Sequence, residues 1–325
     1  MKHLYPYILA GVSLFASFSA HGFQRNVLLE EFTTEACNNC PGGAAELHEI
    51  MAAVNSDYPA RVNMVAHHSG FLTDFLTSEA DLELVELYAG YPGTFAPGCC
   101  VDRVKFPDEA CIVLPAFTEM GMETKIREQL SQESDGKVAI HCATDVNKTW
   151  VDINVKAERT GENVLENARL TVYLVENDVA PRRQQGAPEG FMHQHVIRAY
   201  NSVWGEPVEW KGCEAGYEIS FDIQLDWIPK NLYVVAFLNE YEADEPFARQ
   251  IYNSAISALN GISGIREGES IYSGNFYEAE GQIYAESGEE CAVYTLTGKK
   301  IANRNLSSGL YIVATPTSQG KIMIK

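Results

Sequence analysis

Basic residues are scarce in this chain: 24 Lys and Arg stand against 44 Asp and Glu, a formal net charge of −20. Such a surface repels a phosphate backbone, which excludes nucleic acid as a partner. Its ordinary use is to keep an exported protein soluble. Beyond Phe18 no stretch reaches ~18 uninterrupted apolar residues, so no further membrane helix is expected. Association with an outer-membrane surface needs none. No glycine-rich phosphate loop precedes a helix and no G-x-S-x-G elbow occurs, so nucleotide-binding and protease readings have no support. A second well-spaced C-x-x-C is also missing, and no metal or other cofactor is expected.

What is present begins with an export signal. Lys2 and His3 precede an apolar run from Leu4 to Phe18 that ends in small residues around Ser19-Ala20. This reads as a signal peptide, residues 1–22, too short to span a membrane comfortably. No cysteine lies near the expected cleavage point, so a lipoprotein anchor is not expected. The whole chain is 46% apolar over 325 residues, enough for two or three units at ~150 residues each. All eight cysteines lie in the exported part, where disulfides form. Connectivity does not follow from spacing. The pairs expected are Cys37–Cys40, Cys99 or Cys100 with Cys111, and Cys142–Cys213.

The densest information lies between residues 25 and 54. Arg25-Asn26-Val27-Leu28-Leu29-Glu30-Glu31-Phe32-Thr33 reads as a buried strand. Cys37-Asn38-Asn39-Cys40-Pro41 follows, and an amphipathic helix runs from Ala44 to Val54. Cysteines at a strand-to-helix junction meet the free N–H groups and positive dipole of the helix start, which stabilise a thiolate. Cys37 is expected to be the exposed, attacking thiolate and Cys40 the resolving thiol.

Strand and helix patterns alternate through residue 135. Arg61–His68 reads as a second buried strand. Ser78 caps a helix through Leu87, Gly98–Val104 forms a short strand, and Ala116–Gln132 a last helix. Such alternation implies a mostly parallel or mixed sheet. Period-two segments then take over, at 138–142, 150–155, 168–175, 217–223 and 232–238, and indicate a β-sandwich. Arg182–Gly190 reads as a long polar loop. A glycine-rich joint at 261–265 precedes a last β-rich stretch. His67 and His68 end the second strand and read as satisfied surface histidines. His193 and His195, placed on a strand, would share a face.

Taken together, these motifs resemble the outer-membrane-protein-28-related family, exported proteins with a thioredoxin fold. The likeness rests on the Val27–Thr33 strand running into the C-x-x-C, on Pro97 followed by Val101-Asp102-Arg103, and on His193-Gln194-His195-Val196-Ile197-Arg198. It implies that Pro97 is cis and faces the dithiol, and that Glu31, six residues before Cys37, is a buried acid serving Cys40. Ala36 departs from the thioredoxin pattern, which has Trp there, as does Asn38-Asn39 in place of Gly-Pro. The tail from Tyr294 to Ile301 and from Leu306 to Val313 resembles the sorting domain of type IX secretion cargo.

The expected fold is therefore an α/β thioredoxin-like domain at 23–135, an all-β immunoglobulin-like sandwich at 136–260 and a small β-rich sorting or anchoring domain at 261–325. The expected function is thiol–disulfide exchange on exported proteins at the outer membrane, cell surface or periplasm, with Cys37, Cys40, Glu31 and Pro97 as the catalytic set. The alternative is a non-enzymatic surface binding or adhesion protein whose C-x-x-C is structural. A weaker alternative is a metal or haem carrier that uses histidines.

Overall fold

A computed structural model describes residues 22–117, 121–143, 150–259, 276–279, 281–285, 290–295, 300–306, 309–315 and 319–324. Most of the expected signal peptide and the joint at 261–265 lie outside these residues, as do Leu296–Lys299 and Ser307-Ser308 of the tail motif. The chain falls into two compact units, Met1–Gly264 and Ile265–Lys325.

In the first unit, β1 (Val27–Thr33) is buried along its whole length. Helix α1 (Cys40–Asn55) carries the chain back to β2 (Val62–His68), which runs parallel to β1 from Val27 beside Val62 to Thr33 beside His68. Short helix α2 (Glu79–Glu83) starts with a complete capping box between Ser78 and Asp81. Strand β3 (Gly98–Val101) pairs antiparallel with β1, and β4 (Leu114–Pro115) with β3. Helix α3 (Met122–Leu130) packs beside α1 over the same face.

The strands that follow are β5 (Gly136–Ala143), β6 (Trp150–Arg159), β7 (Arg169–Glu176), β8 (Val196–Tyr200), β9 (Glu214–Asp222), β10 (Leu232–Asn239) and β11 (Ile251–Ala258). They do not close into a body of their own. Strand β8 pairs antiparallel with β7 and parallel with β2. That junction makes one nine-stranded sheet, ordered β11-β10-β7-β8-β2-β1-β3-β4, with Glu206–Pro207 also on β7.

This corrects the expected fold class. Strand accounts for 39% of the chain and helix for only 15%. An α/β thioredoxin-like domain beside a separate immunoglobulin-like sandwich is not what forms, because strands from both stretches share one sheet and an apolar cluster across it. Leu28 and Val65 pack in the same apolar cluster as Tyr173, Val175, Val235 and Phe237. Burial of each such side chain contributes about 1.5–3 kcal/mol, so the junction is held by packing as well as by its ladder. On the opposite face, α1 and α3 cover one half of the sheet. The three-stranded sheet β9-β6-β5 covers the other.

A buried ion pair ties the halves at one edge. Arg25 Nη2 lies 2.9 Å from Asp102 and also donates to the Ile251 carbonyl; Asp102 accepts from the Leu28 N–H. Asp102 and Arg103 both take left-handed backbone, φ 48° and 51°, a cost these contacts offset.

In the second unit, Phe276–Ala279 and Gln282–Ala285 form a hairpin. A four-stranded antiparallel sheet is built from Lys300–Ile301, Ala292–Tyr294, Gly309–Ala314 and Gln319–Ile324, in that order. Val293, Tyr311, Val313 and Ile322 lie in its core. Among the described residues no helix is long and apolar enough to cross a membrane; strands are a separate matter.

Candidate functional site

Helix α1 begins at Cys40, with Pro41 in its first turn, where a missing N–H costs nothing. Cys37 and Cys40 form a disulfide with their Cα atoms 5.4 Å apart. Cys37 Sγ lies 3.5 Å from the Ala96 carbonyl oxygen, and the Ala96–Pro97 peptide is cis. Gly43 permits this close approach: a Cβ there would sit 2.6 Å from Pro97 Cβ. The helix start, the two sulfurs and Pro97 are thus brought together. Cys37 departs from expectation in one respect, since it is 5% exposed and Cys40 1% exposed.

Glu31 points to the α1 side of the sheet, because alternate residues Val27 and Leu29 pack there with Leu47 and Ile50. Its Oε1 is buried without a partner. Burial alone pushes the carboxyl up to about 8, so it holds its proton at neutral pH. Glu30 faces the other way and behaves oppositely. Burial would raise it, but Arg103 binds it through two hydrogen bonds of 2.6 Å and, with His67, holds it well below the usual carboxylate range. One strand therefore carries adjacent acids in opposite protonation states.

A segment distant in sequence straps the disulfide loop. The Arg182 and Arg183 N–H groups donate to the Glu35 carboxylate at 2.6 and 3.2 Å, and Gln185 N donates to the Glu35 carbonyl. Gln184 Nε2 donates to the Cys37 carbonyl at 2.9 Å. Gly186, at φ +69°, lies so close to Asn38 that a Cβ would collide with the Asn38 carbonyl. The polar composition of 182–190 foretold a loop, but not where it lands. Glu35, Gln184 and Gly186 are the site residues that sequence reasoning missed, and no local pattern marks them.

The histidines also move from their expected places. His67 and His68 are buried, not at the surface. His67 bridges Asp81 (2.8 Å) and Glu30 (3.1 Å), and His68 Nδ1 meets Asp74 at 2.8 Å. His193 and His195 do not share a strand: His193 makes an isolated bridge with Val179, and His195 has φ 60° just before β8. Both line a cleft of about 680 Å³ beside α1, with Glu31 also in its wall. Burial first, then the charge of His68, lowers His193; burial first, then His48, lowers His195 to about 4.

Of the expected disulfides, Cys37–Cys40 alone is present among the described residues; Cys99, Cys100, Cys111, Cys142 and Cys213 are free. Cys142 sits opposite Ile153, whereas Cys213 adjoins Arg159, so about 20 Å of β6 separates them. The Cys111 thiol donates to the Val113 carbonyl, and Cys100 lies 3.5 Å from Glu30. Burial and the neighbouring acids push Cys99 and Cys100 well above the usual thiol range, which makes them poor nucleophiles. No metal-binding group of three or more His, Cys, Asp or Glu occurs among the described residues.

No curated protein sequence matches this chain. Among solved structures, HBP35 of Porphyromonas gingivalis is similar over 93% of this chain and 99% of its own, at 20% identity and a TM-score of 0.63. That likeness concerns the fold alone. A domain of the outer membrane lipoprotein Omp28 from Porphyromonas gingivalis covers 39% of this chain and 89% of its own, at 19% identity and a TM-score of 0.28. The sequence profile of the family described as outer membrane protein Omp28 matches residues 89–257, just over half of the chain. The chain therefore belongs to the Omp28 family, and it is an exported protein of the outer membrane or cell surface.

Proposed function

We propose that this exported surface protein exchanges thiols and disulfides with other exported proteins through Cys37 and Cys40. One observation carries the reading: the Cys37–Cys40 disulfide sits at the mouth of α1 against Ala96-Pro97, with a protonated, partnerless Glu31 on the strand face beneath that helix. A thiolate of a partner dithiol attacks Cys37 Sγ and breaks the Cys37–Cys40 bond. The electron pair leaves on Cys40, and Glu31 is the proton source for it. The second partner thiolate then attacks the partner sulfur of the mixed disulfide and expels Cys37 as a thiolate, which the helix start stabilises. Two electrons pass from the partner dithiol to the cysteine pair; the reverse sequence reduces a partner disulfide. Access to Cys37 requires the 182–186 strap to move aside.

The burial of both sulfurs favours a second reading, in which the disulfide is a permanent staple in a non-enzymatic surface binding protein. Insulin reduction and a redox titration of the chain from Gly22 onward, with Cys37→Ser beside it, separate the two. Exchange predicts turnover that vanishes in Cys37→Ser, and mixed disulfides trapped by Cys40→Ser. No turnover with a potential below about −300 mV would establish the staple. Residues 265–325 are read as a sorting and anchoring domain, on the resemblance of their Tyr294–Ile301 and Leu306–Val313 segments to type IX secretion cargo.

A further inference from the structure

We propose that the cleft along the outer face of α1 is a binding site for a small, uncharged, mainly apolar molecule bearing one carbonyl-type hydrogen-bond acceptor, a fatty-acid ester being the type case. The proposal goes beyond disulfide exchange and does not rest on it, since no cysteine lines the cleft.

The argument starts from the helix. Its inward face buries Leu47, Ile50 and Val54, as a packed helix should. Its outward face, ordinarily charged, instead presents Ala44, Ala45, Met51 and Ala52 to the cleft. Pro188, Phe191 and Met192 form the facing wall. A volume of about 680 Å³ lies within the range of small-molecule sites. Polar side chains also line it, among them Thr33, Asn55, His193 and Gln194, and three of the lining atoms are buried without a partner: Glu31 Oε1, Asn55 Oδ1 and His193 Nε2. Of these, the protonated carboxyl of Glu31 is the group that an acceptor on a ligand satisfies, through its O–H. His195 Nδ1 is already engaged by the Tyr233 hydroxyl at 2.6 Å.

Charge decides the ligand class. The lining holds no Lys or Arg, and its one carboxyl is Glu31, which burial keeps protonated. Burial also lowers His193 and His195 to about 4 and shifts His48 in the same direction, which favours the uncharged imidazoles. An anion finds no counter-charge there and meets the field of a chain of net charge −20. A cation finds no ionised carboxylate. A neutral acceptor-bearing molecule satisfies the floor and matches the walls.

The test uses the whole chain and the uncharged fluorophore N-phenyl-1-naphthylamine, displaced by methyl decanoate or by decanoate at neutral pH. The expected result is saturable binding at one site, with the ester displacing the probe at least about tenfold better than the anion, roughly the worth of one hydrogen bond in a dry site. Ala45→Trp and Ala52→Trp fill the cleft from exposed positions and are expected to weaken the ester about tenfold. Glu49→Trp, on the same helix but outside the lining, is expected to leave it unchanged. Glu31→Gln keeps a neutral donor and is expected to keep the ester, whereas Glu31→Leu loses about tenfold. Non-saturable binding, equal displacement by decanoate, or tryptophan variants that bind as the parent does would overturn the proposal.

Discussion

Glu31 is a buried carboxyl with one oxygen, Oε1, that has no protein partner, and that burial makes stability depend on pH. Its ordinary value is 4.5; in the fold it loses its proton only near 8. Between these values the folded state holds a proton that the unfolded chain has released. The stability this group confers is therefore complete below pH 4.5 and is lost as pH rises through 8. Glu31→Gln removes the dependence. It is expected to match the parent at pH 4 and to exceed it by about 3–5 kcal/mol at pH 9, read by urea unfolding. Parallel profiles for parent and variant would mean that the carboxylate is ionised and hydrated in the fold. The position of Glu31 was legible, because an acid inside an apolar strand at a fixed offset from the cysteines stands out. Its protonation was not, since Glu30 beside it looks the same in sequence. Arg103 on the other face of the sheet makes the difference.

At the scale of elements, the strap decides how open the disulfide is. Glu35 gathers it by accepting from two successive backbone N–H groups. Glu35→Ala removes both acceptors and is expected to free residues 182–186 from the Cys37 loop. After mild reduction, iodoacetamide should then label Cys37 about tenfold faster than in the parent, with mass spectrometry as the readout. An unchanged rate would mean that something other than the strap limits access. Local chemistry was readable for elements such as α2, where Ser78 announced the cap. The second oxygen of the same capping acid, Asp81, reaches His67, and nothing local predicts that.

At the scale of the molecule, the shared sheet runs across a cut at residue 135. A chain ending there would expose β2 along the edge that β8 covers, and would leave Leu28 and Val65 without Tyr173 and Val175. Residues 22–264 are expected to melt in one cooperative transition by calorimetry, and residues 22–135 to show none. A cooperative transition in the short fragment would restore two independent bodies. By itself the sequence determined export, the acidic surface, the C-x-x-C at a helix start, most strands and a β-rich tail, because each is written in composition or in a pattern a few residues long. Only the tertiary structure decided that β8 inserts between β7 and β2, that the strap covers Cys37, and that Cys142 and Cys213 lie too far apart to bond. Each depends on contacts between residues far apart in the chain, and the closure of such contacts leaves no local periodicity to read.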